Sequence, residues 1–243
     1  MKYIVRKVPE RDVTYFEYLI PEAIFYNDAL HEGPIKSFVG AMKLAQDDAV
    51  YIQDDMLLCR DFKARCDAVC KAHKDEVVQL ANNTFRNVKT RVLVGGHYPA
   101  DKVPWCLCIY IPWRLASAFV DWYESGRIKP TKFETNGYSD DLLFSRFMKK
   151  MKEDEYLVVP NLAGHPMNKS IVGKLTGRDV RDGQIRISMN FEYDKAVARG
   201  DISREIEYYK RDYGRYEKLR AEQYAQLNGG SGYGKDGQTE KGN

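Results

Sequence analysis

The sequence predicts a mixed α/β domain: a mostly parallel sheet flanked by helices, with a helical extension at its C-terminus. Three observations predict it. Short apolar runs rich in β-formers alternate with stretches of helical spacing, in the order β-α-β-α-β-α-β over the first 80 residues. That alternation builds a doubly wound sheet rather than a barrel or a sandwich. The length of 243 residues suits one domain of this class, and a long polar helical pattern closes the chain.

Each element has its own signal. Lys2 to Val8 alternates and reads as a strand that stops at Pro9. Residues 13–20 read as a short amphipathic helix, and Ala23 to Tyr26 as a second strand ending in Asn27-Asp28. Gly33-Pro34 opens a helix with Ile35, Phe38, Val39 and Met42 on one face. Ala49 to Ile52 is a β-rich run bounded by two acid pairs, Asp47-Asp48 and Asp54-Asp55. Residues 60–73 return to helix, and Glu76 to Leu80 to strand. Trp105 to Ile111 is a further strand, and its period of two sets Cys106 and Cys108 on one face. Pro112 starts a helix that buries Leu115, Phe119 and Trp122 and ends near Gly126. A loop from Lys129 to Ser139 leads to a helix from Asp140 to Lys150, with Leu143, Phe147 and Met151 inward. Tyr156 to Val159 is a short strand before the loop Pro160 to Lys174, and Gln184 to Tyr193 alternates like an antiparallel edge strand.

These elements make a main domain over residues 1–200. A helix over 201–227 follows, with Ile206, Tyr209, Tyr213 and Tyr216 on one face. Packing on the body and pairing with a second copy are both open to that face, so it is a candidate homodimer contact. Residues 228–243 are nearly devoid of apolar side chains and read as a disordered tail.

Composition narrows the class. Hydrophobic residues make up 44% and charged residues 30%, ordinary for a globular chain. A net charge of +3 is too mild to argue for a nucleic-acid-binding face, and it does not exclude one. The five cysteines lie in apolar stretches without a CxxC, as buried free thiols in a reducing compartment would. No signal core or membrane-length run is present, which points to a cytoplasmic protein without a membrane partner.

Three constellations could carry chemistry. In Val50 to Asp55 a buried strand ends in adjacent carboxylates, and concentrated negative charge calls for a compensating cation such as Mg²⁺ or Mn²⁺. The plain alternative is a cap on the next helix. Tyr138-Ser139-Asp140-Asp141 opens a helix, where acids either complement the helix dipole or serve as a general base. Pro160 to His165, followed by Met167 to Ser170, ends a strand and could supply an imidazole to a metal and donors to phosphate; a lone His is otherwise a structural residue. The carboxylates of Asp55 and Asp141 and the His165 ring are 86 and 24 residues apart in sequence, yet each falls at the end of a strand or the start of a helix of one sheet. Convergence on one cleft is what phosphate-and-metal chemistry needs.

The order of these motifs resembles the GT-A glycosyltransferases. More closely, AVYIQDDMLLCRDF, PWCLCIYIPWRLASAFVDWYESGRI, GYSDDLLFSRFM and VVPNLAGHPMNKSIVG look like a group of bacteriophage-encoded glycosyltransferases, over roughly residues 1–175. The resemblance implies a GT-A-like, Rossmann-type sheet and a hexosyltransferase using a nucleotide-sugar donor, with UDP-sugars favoured. It implies Mn²⁺ or Mg²⁺ held by Asp55, His165 and Gln53, where Gln53 replaces the first acid of an Asp-x-Asp-like motif. Asp141, with Asp140, would be the base. Arg6, Arg11, Asp54, Lys169 and Ser170 would lie near the donor, and Trp105 and Tyr138 near the acceptor. Trp113 and Tyr98 are further rings that could stack on a base or sugar. The acceptor would be a hydroxymethylated base in phage DNA, in the host cytoplasm, or alternatively a surface glycan or protein. A non-catalytic nucleotide-sugar or nucleic-acid binding module is the rival from another class. A nucleotidyltransferase or phosphohydrolase is weakened by the absence of a GxxxxGK[ST] motif.

Overall fold

The computed structural model describes residues 1–82, 94–101, 106–126, 140–166 and 190–229. Within them the chain forms a seven-stranded sheet in the order β2-β1-β3-β7-β5-β8-β6. The strands are β1 (Lys2–Lys7), β2 (Ile24–Asn27), β3 (Ala49–Gln53), β5 (Val77–Gln79), β6 (Gly96–Pro99), β7 (Cys108–Ile111) and β8 (Asp154–Leu157). The short strands β4 (Leu57–Leu58) and β9 (Ala163–Gly164) pair separately. Among the described strands of the main sheet, β7 and β6 alone run against the rest, so the sheet is mostly parallel.

Helices cover both faces. One face carries α2 (Pro34–Ala45), α4 (Trp113–Glu124) and α5 (Asp140–Met151); the other carries α1 (Thr14–Leu19), α3 (Phe62–Ala72) and the long α6 (Ser203–Gly229). Alternation along β1 explains the two layers: Ile4 faces the first group, while Tyr3 and Val5 face the second. Under α2, α4 and α5 the core is aromatic, with Phe38 edge-on to Tyr51 at 5.6 Å and to Phe144 at 5.7 Å. Gly126 follows α4 with a φ of 64°, a left-handed conformation that favours glycine.

The wrapping turns around β1. The crossover through α1 leads to β2 on one side of β1, and the crossover through α2 leads to β3 on the other. Strand order therefore reverses at β1, and such a switch opens a crevice outside the C-terminal strand ends. Asp54 lies at that end of the sheet, just after β3: its amide donates to the Arg6 carbonyl at 3.0 Å.

Several expectations are corrected. Trp105 lies outside the described residues, and β7 begins only at Cys108 after a bend at Leu107. The bend turns Cys106 toward the α2/α4/α5 core and Cys108 toward the other, so the two thiols do not share a face. Met151 is 43% exposed, because it ends α5 where Met148 already takes the inward place. The edge strand expected over Gln184 to Tyr193 falls mostly outside the described residues, and at its end Tyr193 starts a 3₁₀ turn instead. Trp113 is placed at the far end of the sheet from Asp54, because β7 runs antiparallel to β3.

The five cysteines are free and buried. The first half of α6 packs through Tyr209 and Tyr216, while Tyr224 and Leu227 near its end are exposed. Among the described residues no helix is long and apolar enough to cross a membrane. Residues 230–243 lie outside the described residues.

Candidate functional site

Two short strands bring the first pair of site residues together. After β3 the chain turns through Asp54-Asp55 and enters β4, which pairs with β9 so that Leu57 faces Gly164 and Leu58 faces Ala163. Continued by one step, that register sets His165 beside the Asp55 end of the turn. The His165 Nε2 atom lies 3.2 Å from Asp55 Oδ2. Its Nδ1–H donates to the Pro166 carbonyl at 2.7 Å, which orients the ring and points Nε2 at the carboxylate. The Tyr193 hydroxyl donates to the His165 carbonyl at 2.8 Å. Gly164 is required here, because a Cβ would collide with the Phe191 ring.

Charge is distributed unevenly over the two adjacent acids. Burial opposes ionisation of Asp55, yet the His165 ring and Arg11 outweigh it and hold its carboxyl at about 2. The Asp55 Oδ1 atom is buried and has no hydrogen-bond partner among the described residues. Burial, then the neighbouring charge of Asp55, pushes Asp54 up to about 6. The Val8 amide donates to Asp54 Oδ2 at 3.0 Å, and Arg11 Nε stands 4.0 Å from Oδ1. Arg199 donates to the carbonyls of Asp54 and Asp12, so the segment after Tyr193 straps this rim. Gln53 ends β3 opposite Arg6 and is half-buried.

The second pair forms the other half of the rim. Arg6, at the end of β1, donates through Nη1 to Asp140 Oδ2 at 2.7 Å and through Nη2 to the Cys106 carbonyl at 2.8 Å. Both side chains of that ion pair are about 5% exposed or less. The guanidinium also lies 4.6 Å from the Phe38 ring centroid. Asp141 is partly buried, and its Oδ1 accepts from the Cys106 amide at 2.7 Å. Burial and the charge of Asp140 push it up to about 8, against the Cys106 amide and Arg6.

Glu155 was not anticipated. It is 1% exposed on β8, accepts from Gln79 Nε2 at 2.5 Å, and is pushed up to about 8 by burial and then by Asp141. Its signal is present in the sequence, since alternation puts Glu155 in phase with the core residue Leu157. Arg199 carried no such signal.

The structure thus brings Asp55 to His165, and Asp140 to Arg6. The halves meet through two neighbouring residues: the Gln53 amide donates to the Leu107 carbonyl at 2.9 Å, and the Cys106 amide serves Asp141. Burial apart, the groups that shift Asp141 most are Asp140, the Cys106 amide and Arg6, and those that shift Asp55 most are His165 and Arg11, so the two acids have different closest partners. Trp105, Tyr138, Lys169 and Ser170 lie outside the described residues.

The first half offers two kinds of donor atom. An unsatisfied carboxylate oxygen beside an imidazole nitrogen is an oxygen-nitrogen donor set, which suits Mn²⁺ better than the all-oxygen preference of Mg²⁺.

Fold and rim define a mixed α/β protein with a mostly parallel central sheet, flanking helices and a C-terminal helix. A solved structure, the crystal structure of A197 from STIV, aligns with 69% of this chain and 87% of its own, at 13% identity and a TM-score of 0.42. A likeness that distant carries no argument about activity. No protein-family model matches the chain, and no curated protein matches it.

Proposed function

We propose that the chain is a metal-dependent glycosyltransferase that moves a sugar from a nucleoside-diphosphate donor to a hydroxyl acceptor. One observation carries the reading: the approach of His165 to Asp55 at the end of β3, with Asp55 Oδ1 buried and unsatisfied. A buried carboxylate oxygen without a partner is costly unless something charged completes it.

Asp55 and His165, with Gln53, would hold Mn²⁺ or Mg²⁺, which supplies charge to offset the leaving diphosphate. Arg11 flanks Asp54 on the donor side, and Lys169 and Ser170 are proposed to reach the diphosphate. Arg6 fixes Asp140, and Asp140 in turn raises Asp141. Asp141 would accept the proton of the acceptor hydroxyl as its oxygen bonds to the anomeric carbon and the bond from that carbon to the diphosphate oxygen breaks. A carboxyl raised to about 8 holds its proton at neutral pH, so the basic form gains ground as pH rises. Trp105 and Tyr138 are proposed acceptor contacts. A hydroxymethylated base in DNA is the favoured acceptor.

The test incubates the full chain with UDP-sugars and Mn²⁺ and follows release of nucleoside diphosphate. Slow release by the native chain that disappears in Asp55→Ala supports the reading. Donor binding without release under either metal would reduce the chain to a binding module. Offering hydroxymethylated duplex DNA and an oligosaccharide in parallel then separates the acceptors, and labelling of the oligosaccharide alone discards the DNA version.

A further inference from the structure

Three of the chain's four histidines are used at neither half of the rim. His73 and His97 lie with Glu76 at the opposite end of the sheet, around the start of β5. Their placement follows from the backbone. His73 closes α3, its amide donating to the Val69 carbonyl at 3.0 Å, and the Glu76 amide donates to the His73 carbonyl at 3.0 Å. That turn sets side chains three residues apart on one side. His97 arrives from β6, the edge strand, in register with Tyr156 of β8.

Tyr156 orients both rings. It stacks on His73 with centroids 3.7 Å apart and planes 20° apart, and it meets His97 at 5.1 Å. The His73 Nδ1 atom is 3.3 Å from Glu76 Oε1, and His97 Nε2 is 2.5 Å from Glu76 Oε2. One donor atom from each of the three residues lies within 4.8 Å of the others. Exposure rises from 20% for the His73 side chain to 40% for Glu76 and 54% for His97, so one side of the cluster is open to water and to an arriving ion.

We infer that His73, Glu76 and His97 form a binding site for a divalent ion of the Zn²⁺ class, which pins the edge strand β6 to the end of α3. Two imidazole nitrogens and a carboxylate are a borderline donor set, matched to Zn²⁺ and poorly matched to Mg²⁺ or Ca²⁺. Ligand atoms around a tetrahedral Zn²⁺ stand about 3.3 Å apart, given metal–ligand distances near 2.0–2.1 Å, so the cluster needs only small side-chain adjustments. Three protein ligands leave a fourth position for water on the open side. The ion would act as a clasp: β6 has β8 as its neighbour in the sheet, and the metal adds a second tie to the body.

The test titrates Zn²⁺, with Co²⁺ as a visible-absorption reporter, into the untagged full chain and follows binding and melting temperature. The native chain should bind an equivalent whose affinity falls by roughly tenfold or more in His97→Ala and in Glu76→Gln, since even supporting residues of metal sites change affinity by 10–100-fold. The same equivalent should survive in His165→Ala, which separates this site from the rim. His97 is more than half exposed, so its variant should melt with the native chain when no metal is added. Equal Zn²⁺ affinity in the native chain and His97→Ala, or no Zn²⁺ binding by the native chain, would overturn the assignment and leave a hydrogen-bonded His–Glu–His cluster.

Discussion

The two halves of the rim are built alike and charged differently. Each presents consecutive aspartates, and in each a nitrogen-bearing side chain takes one of them: His165 takes Asp55, and Arg6 takes Asp140. The neighbouring acid, held by a backbone amide, then carries the cost, with Asp54 pushed up to about 6 and Asp141 to about 8. The difference lies in that side chain. Arg6 is permanently charged, doubly hydrogen-bonded and sealed from water, so its half is a fixed support. His165 carries an imidazole, a common metal ligand, and Asp55 keeps an oxygen unsatisfied, so its half is the one proposed to accept a ligand. Adjacent acids can therefore be tuned toward opposite tasks by the side chain that approaches one of them more closely.

The largest expected effect comes from breaking the fixed half. Arg6→Met leaves Asp140 buried without its cation and should cost about 3–5 kcal/mol, read by urea denaturation at neutral pH. Adding Asp140→Leu should restore most of that loss; a double variant as unstable as the single one would mean that Arg6 acts through something other than the ion pair. On the other half, Asp55→Ala should lower donor turnover by roughly 10²–10³-fold while the metal-free melting temperature stays near native. Asp141→Asn should cost about 10²-fold in turnover. In the native chain kcat/KM should climb as pH rises through about 8, because that ratio reports the free protein; a profile flat from about pH 6 to about pH 9 would remove Asp141 as the base.

Smaller effects sharpen the comparison. Gly164→Ala must displace Phe191 and should destabilise by about 1–3 kcal/mol, with weaker Mn²⁺ binding because His165 moves with its neighbour. Unchanged Mn²⁺ affinity in that variant would dissociate His165 from the metal. Glu155 tests the support beneath Asp141. Its folded value of about 8 lies above the ordinary 4.5, so the folded chain binds the extra proton between those values. The stability this confers is complete below about 4.5 and is lost as pH rises through about 8. Glu155→Gln cannot ionise, and its amide can also donate to Gln79 Oε1, which is buried without a partner. The variant should gain roughly 1–2 kcal/mol over the native chain near pH 9 and little or nothing near pH 4. A native advantage at the higher pH would contradict the buried, protonated Glu155.

Much of this architecture was legible because its signals are local. The runs at β1, β2, β3 and β5 and the apolar faces of α2 and α4 follow from periodicity, and the chain folds them as read. What stayed hidden depends on contacts between distant segments. The two-residue strands β4 and β9 have no periodicity to read, yet their register delivers His165 to Asp55. The antiparallel course of β7 is set by pairing on both sides, and its apolar run reads the same in either direction. The bend at Leu107 broke the period-two reading of the cysteines for the same reason. Of the site, the two acid pairs and His165 were visible as residues, while the role of Arg6 as a buried support could be seen only once Asp140 was placed beside it.

The reversed course of β7 also has a consequence for how the chain is made. Strands β1, β2 and β3 are joined by short helical crossovers and can assemble while later residues are still being synthesised. Strand β3 then waits with a bare edge until Cys108–Ile111 leaves the ribosome, and β5 waits for the same segment. A nascent chain halted between β5 and β7 exposes the free edge of β3 and both edges of β5 at once, the condition that invites edge-to-edge aggregation. Fragments ending before residue 106 should be recovered insoluble, and those ending after α4 should show protease-resistant N-terminal sheet; a soluble, ordered shorter fragment would show that the edges find other cover.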